Sequence, residues 1–294
     1  MFGRGINTPD ITNASRRIKY SEFKKCQKNG VKDIVEVKIS YDGIAIANSK
    51  QAPVFDLTRL DLFLALVKQV PSGSKGVLID NPYLNWRDVN AKLPNTRIEV
   101  LGPPLTFGTR DAFAELALEG GCKTFDWIKQ LKTKAKQLKK AGDKIGAAKL
   151  KNRYKNICHS IREDGVYIEA GENDNLIVAK LGANPRALGI FGFSFLNQNS
   201  DKVQGVIIDG VKINFDTISD GSYPVSRPLY FYVKKSHVGK VPGIKAFIAE
   251  FISEDSWGKE GCLTDKGLIP LSDKERYKMW KSANNLTPLE LESE

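Results

Sequence analysis

Residues 102–113 read GPPLTFGTRDAF. Just before them Arg97, Ile98, Glu99, Val100 and Leu101 read as a strand, and residues 111–118 (DAFAELAL) read as the first turns of a helix. A strand, a Gly/Thr turn and a helix N-terminus point several unpaired backbone N–H groups at one spot, and the helix dipole favours an anion there. Thr106 and Thr109 add hydroxyl donors. Arg110 adds a full positive charge on a fork suited to two oxyanion oxygens. The chemistry that follows is capture of a small tetrahedral anion without turnover. The plainer alternative is a turn that only caps its helix.

Working outward, strands alternate with helices, which predicts an α/β class with antiparallel pieces added. Residues 12–17 (TNASRR) read as a polar loop before a short helix over 21–28, closed by Asn29-Gly30. Residues 34–47 alternate like two strand halves interrupted at Asp42-Gly43. An amphipathic helix is predicted over 57–70, stopped by Pro71-Ser72-Gly73, and a loop over 85–89. Later come a helix over 174–181, a buried strand over 188–195, and a hairpin turning at Asp209-Gly210 between 203–208 and 211–215. A strand over 229–233 and a helix over 243–252 follow.

At 294 residues, 41% apolar and 27% charged, the chain is long enough for one large or two ordinary α/β domains with a sizeable core. Its longest uninterrupted apolar run, residues 62–67, is too short to span a membrane, and the first residues lack the apolar stretch of a secretory signal. The net charge of +11 is local rather than general. Residues 129–155 hold ten Lys and one Arg against a single acid, Asp143, so nearly all the excess sits in one segment. Two helical pieces broken near Gly142 are predicted, with Leu131, Leu138, Ile145 and Leu150 on a sparse apolar stripe. A solvated surface arm is the ordinary reading, and binding to an anionic polymer or membrane surface is the alternative. With Tyr154 as its single aromatic, the arm is not built for single-stranded nucleic acid.

Cys122 ends a Gly-Gly turn before the arm and Cys158 lies just beyond it, so a bridge between them would close the arm at its base. Such a bridge requires an oxidising compartment. Cys26 and Cys262 have no evident partner. Without a Cys-x-x-Cys pair, and with only His159 and His237, no metal centre is expected. No Gly-x-Ser-x-Gly, Walker-type or His-Glu-x-x-His motif occurs, so no catalytic residues are assigned. The carboxylates at Glu163-Asp164 and from Glu169 to Glu172 read as solvated faces or caps, and Trp86, Trp127, Trp257 and Trp280 as packing anchors.

Several segments in order carry a resemblance: GPPLTFGTRDAF, REDGVYIEAGENDNLIVAKL, ALGIFGFSFLNQN, SYPVSRPLYFYVKK and GCLTDKGLIPL, with the loop at 12–17 matching an ASR-type segment. Over essentially its whole length the chain resembles the phosphate-binding proteins of ABC transporters, the PstS family. The resemblance implies an α/β, two-lobed, hinged periplasmic-binding-protein type II fold. It implies a monomeric, non-enzymatic periplasmic protein without cofactor, which closes on inorganic phosphate in the interlobe cleft and hands it to ABC permease subunits. Nucleic acid is not an expected partner. The first lobe would comprise residues 1–42 and 226–294, and the second residues 43–225 with the basic arm at 129–155. The implied phosphate ligands are Ser15 and Arg16 from the first lobe and Thr106, Phe107, Gly108, Thr109 and Arg110 from the second.

Three departures from the family pattern stand out. The chain starts after the family's usual signal peptide, first strand and first phosphate loop, which predicts a truncated, weakened first lobe with an unpaired sheet edge or an uncovered apolar face. Phe107 stands where Ser is usual and removes one hydroxyl donor. Arg16 and Leu105 stand where the family places Asp acceptors for the phosphate proton, with Asp10 and Asp111 as candidate substitutes. The alternatives are a truncated member with impaired phosphate binding, or a surface-interaction protein acting through the arm.

Overall fold

The strand Ile34–Ser49 runs without a break through Asp42 and Gly43, where the alternation predicts an interruption. Pairing keeps it in the ladder: Gly43 lies opposite Ser226 and Asp42 opposite Arg227, whose Nε is 3.2 Å from the Asp42 carboxylate. Gly43 serves close packing rather than a turn, since a Cβ there would lie 2.5 Å from Ile218 Cδ1. The chain is seen here in a computed structural model that describes residues 3, 5–73, 76–104, 106, 108–171 and 174–292. It forms two compact units, one of residues 1–43, 218–221 and 226–294, the other of residues 44–217 and 222–225.

In the first unit, residues 34–43 of the long strand pair with Ser226–Lys234, which pairs antiparallel with Ile11–Ala14. The segment read as a polar loop at 12–17 therefore begins as an edge strand, because Thr12 and Asn13 find ladder partners in Tyr232 and Phe231. Alternation along Ser226–Lys234 sends Tyr230 and Tyr232 to one face and Phe231 and Val233 to the other. The tyrosine face packs on Phe23 and Cys26 of helix Tyr20–Lys28. The phenylalanine face packs on Ile244 and Ile248 of helix Ile244–Phe251, on Trp257, and on Ala283 of helix Asp273–Asn284.

In the second unit, strand Val100–Gly102 lies parallel between Tyr167–Glu169 and Leu188–Gly192, and the latter pairs antiparallel with residues 44–47 of the long strand. Their residues are buried almost throughout, as expected of strands covered on both faces. Helices cover this sheet. The helix predicted over 57–70 spans only Arg59–Leu66, and Leu62, Phe63, Ala65 and Leu66 are all buried, so it is a core helix rather than an amphipathic one. It stops early because the Asn81 amide donates to the carbonyls of Leu64 and Val67, both at 2.7 Å, and Gln69–Pro71 then pairs with Leu78–Asp80. The strand predicted over 188–195 ends at Gly192, and Phe193–Gln198 is helical.

The turn at Asp209 and Gly210 forms with positive φ at both residues and closes one antiparallel bridge, Ile208 to Val211, beyond which no strand continues. Ile207–Ile208 also pairs with Asp56–Leu57, and the Asp209 carboxylate accepts from the backbone N–H and Nε of Arg59. Residues predicted as a loop at 85–89 include the short helix Trp86–Val89. The basic segment folds as two helices, Asp126–Lys140 and Lys144–His159, joined by a turn with Gly142 at φ +91°. Among the described residues no helix is long and apolar enough to cross a membrane.

Candidate functional site

The candidate anion site is built where the strand Val100–Gly102 gives way to a helix beginning at Gly108. Helix Gly108–Phe113 continues through a π-helical turn, Ala114–Leu118, into Glu119–Cys122. Ala112, Phe113, Ala117 and Leu118 are buried, which anchors the run and leaves its first residue, Gly108, exposed. Thr106 is exposed and Thr109 half-buried. Phe107 and Leu105 lie outside the described residues. An exposed helix start with threonines beside it is the kind of donor set that an oxyanion requires.

Arg110 is buried, and its environment is more elaborate than the sequence indicates. Its Nη1 forms an ion pair with Glu169 at the end of strand Tyr167–Glu169, and its guanidinium lies 4.9 Å from the centre of the Tyr167 ring. The Tyr167 hydroxyl donates to the Pro103 carbonyl at 2.8 Å. Burial raises the Tyr167 phenol far above its ordinary value, so it remains a neutral donor. Gly102 is required beneath it, because a Cβ there would lie 2.2 Å from the Tyr167 oxygen. Glu169 is thus a partner of the candidate site, where the sequence reads it as a solvated carboxylate. Tyr167 and Glu169 lie within the segment REDGVYIEAGENDNLIVAKL, but nothing local in it links them to Arg110. They come to Arg110 only through the parallel pairing of their strand with Val100–Gly102.

Beside Arg110 lies a hollow of about 280 Å³ whose lining includes Lys68, Asp111, His159, Ser160 and Glu163. Asp111 is exposed at its edge. A larger hollow of about 840 Å³ includes Asp61, Arg87 and Asn90, but these polar groups are already engaged with the local chain. Asp61 accepts from Thr58 and Asn90, and Arg87 donates to the Leu93 carbonyl.

On the first unit, Ser15 is exposed and its hydroxyl makes no hydrogen bond among the described residues. Arg16 is held by Glu22 through two hydrogen bonds of 2.8 and 3.0 Å. Those bonds pull the Glu22 carboxyl down to about 2. Asp10, one candidate acceptor for a phosphate proton, is already paired with His237. Cys122 and Cys158 form a disulfide, Cys26 is a buried thiol and Cys262 an exposed one. No cluster of metal-ligating side chains occurs among the described residues.

A mixed sheet covered by helices, in a chain of two compact units, carries this strand and helix. The chain belongs to the PBP superfamily: the family model for the PBP superfamily domain matches residues 5–255. Within it the chain is 28% identical over 271 residues to phosphate-binding protein PstS of Staphylococcus saprophyticus, covering 90% of this chain and 66% of that protein. It is 29% identical over 275 residues to phosphate-binding protein PstS of Staphylococcus epidermidis, covering 92% of this chain and again 66% of the relative. The chain therefore spans just under two thirds of the length of these curated relatives. Among solved structures, a possible phosphate binding protein from Planctomyces limnophilus matches with a TM-score of 0.69 at 22% identity, covering 95% of this chain and 81% of that one. PstS from Borrelia burgdorferi matches with a TM-score of 0.55 at 16% identity, covering 90% and 79%. These structural matches establish the shared α/β periplasmic-binding-protein fold.

Proposed function

We propose that this chain is the substrate-binding component of a phosphate ABC importer, binding inorganic phosphate and delivering it to the permease without catalysing a reaction. The observation that carries the reading is the exposed helix start at Gly108, following a buried strand and flanked by Thr106 and Thr109. Similarity to proteins named phosphate-binding protein PstS supports phosphate as the anion. The proposed ligands are Thr106, the Phe107 backbone, Gly108, Thr109 and Arg110 on the second unit, with Ser15 and Arg16 on the first. Arg110 would act through N–H groups other than the Nη1 that meets Glu169. Asp111 would accept the proton that phosphate carries and sulfate lacks.

The proposal places a monomeric protein outside the cytoplasmic membrane, in the periplasm of a two-membrane cell. The Cys122–Cys158 disulfide supports an oxidising compartment. One observation favours the weaker form of the same function, a receptor of reduced affinity: Arg16 and Arg110 each already hold a carboxylate.

Calorimetric titration of the folded protein with phosphate, and with sulfate as the control anion, tests the reading. Phosphate binds at micromolar concentration or tighter, and Arg110→Ala weakens it by about tenfold or more, as expected for a charged hydrogen bond. A folded sample that gives no phosphate heat removes the proposal. Equal affinity for phosphate and sulfate removes the role of Asp111.

A further inference from the structure

The helical hairpin of residues 126–159 carries charge for which phosphate binding has no use. Its two helices bury Ile128, Leu131 and Ala135 on one side and Ala147, Tyr154 and Ile157 on the other, and every lysine between 129 and 155 is exposed. Among the described residues Lys132 is the one lysine of that stretch with a carboxylate partner, Glu119. Like charges four residues apart, as at Lys132, Lys136 and Lys140, weaken a helix standing in water. The one acid in the stretch is also spent. Asp143 caps the second helix by accepting from Gly146 N at 2.8 Å.

The tip of the hairpin reads KKAGDKI over 139–145. Ile145, which the sequence pattern assigns to the inner stripe, is 85% exposed, more than any other exposed large apolar side chain among the described residues. Asp143 and the left-handed Gly142 shape the turn so that Ile145 follows it on the outside. The base is fixed by the Cys122–Cys158 disulfide and by Glu119, which meets Lys123, Lys132 and His159. A first helix of this length holds the tip about 20 Å from that base. The hairpin is therefore a stiff rod that ends in an isoleucine flanked in sequence by Lys139, Lys140 and Lys144.

We propose that this tip docks on an anionic lipid bilayer, with Ile145 entering the boundary between headgroups and acyl chains while the neighbouring lysines meet lipid phosphates. Charge alone fits any polyanion. The exposed isoleucine distinguishes a lipid surface, because a soluble polyanion offers it no apolar environment. Recognition of single-stranded nucleic acid lacks the aromatic platforms it needs, since Tyr154 is buried under Lys132. Each lysine near an anionic surface is worth roughly a fivefold gain in binding, so three at the tip together with Ile145 give reversible attachment.

The test is co-sedimentation of the intact protein with neutral phosphatidylcholine vesicles and with vesicles containing phosphatidylglycerol, in 100 mM salt as on the order of physiological screening. The wild type partitions onto the anionic vesicles and not the neutral ones. K139E/K140E/K144E reduces that partitioning at least tenfold, and Ile145→Ser reduces it by about fivefold, a loss of buried apolar area. Both variants alter exposed positions, and circular dichroism checks that the helices remain. In a parallel titration with long-chain polyphosphate, Ile145→Ser behaves as wild type. Absence of wild-type binding to anionic vesicles overturns the proposal. So does an Ile145→Ser variant that partitions like wild type, which would mark the arm as a plain polyelectrolyte surface. Neither outcome bears on the phosphate titration, which the arm variants leave unchanged.

Discussion

Arg16 meets Glu22, and an anion approaching that guanidinium has to share it with or displace the carboxylate. Glu22→Gln keeps an oxygen for the Lys19 backbone N–H, which Glu22 accepts at 3.0 Å, while removing the competing charge. The variant binds phosphate about three- to tenfold more tightly in calorimetry if Arg16 is a ligand, and the gain shrinks as salt rises because the pair is exposed. An unchanged affinity removes Arg16 from the site. Glu119 is a different case. Burial works to raise its carboxyl, but hydrogen bonds involving His159, Lys123 and Lys132 outweigh burial and hold it well below the ordinary carboxylate range. A value lower in the folded than in the unfolded chain means that the ionised group stabilises the fold above the ordinary value near 4.5, and that this contribution disappears as pH falls. Glu119→Gln therefore melts lower than wild type at pH 7, by about 2 kcal/mol in stability, and the gap between the two melting temperatures narrows as pH falls below the ordinary value near 4.5. A constant difference across that range would show that packing, not ionisation, is what the substitution disturbs.

At the scale of elements, the arm stands on a covalent base. Cys122 and Cys158 are separated by 36 positions, and the loop-entropy argument gives their bridge about 3–4 kcal/mol. The double substitution Cys122→Ser with Cys158→Ser lowers the melting temperature by several degrees, while the helical signal at 25 °C changes little because Leu131, Ala135, Ala147 and Ile157 still pack. Loss of helix at 25 °C would mean that the bridge, rather than this packing, holds the hairpin together. Elements elsewhere obey partners more than local propensity. Residues 67–70 leave the predicted helix because Asn81 takes the carbonyls that would continue it. Residues 11–14 become a strand because the edge of Ser226–Lys234 is there to pair with.

At the scale of the whole molecule, ligand and fold are linked through mass action. Phosphate at about 100 times its dissociation constant adds about 2.7 kcal/mol to the stability of the folded protein, so the calorimetric melting temperature rises with phosphate concentration. Arg110→Ala loses about half of that rise or more, and sulfate at the same concentration produces less of it. A melting temperature indifferent to phosphate would contradict the proposed function even where a titration heat is seen. Much of this molecule was legible in the chain alone. The alternation of strands with helices, the helix that follows the strand Val100–Gly102 and the broken basic helix at 142 depend on periodicity, glycine and proline, which act over a few residues. The membership of Glu169 and Tyr167 in the Arg110 environment, the carboxylate on Arg16 and the outward Ile145 were not legible. Each follows from which strand pairs with which, or which face a helix turns to its neighbour, and such contacts join residues that no local pattern connects. The sequence by itself determined the α/β class and the helix that follows the strand Val100–Gly102. Only the tertiary structure decided which charges are already neutralised and which apolar side chain is left in water, because burial and pairing are properties of the packed chain.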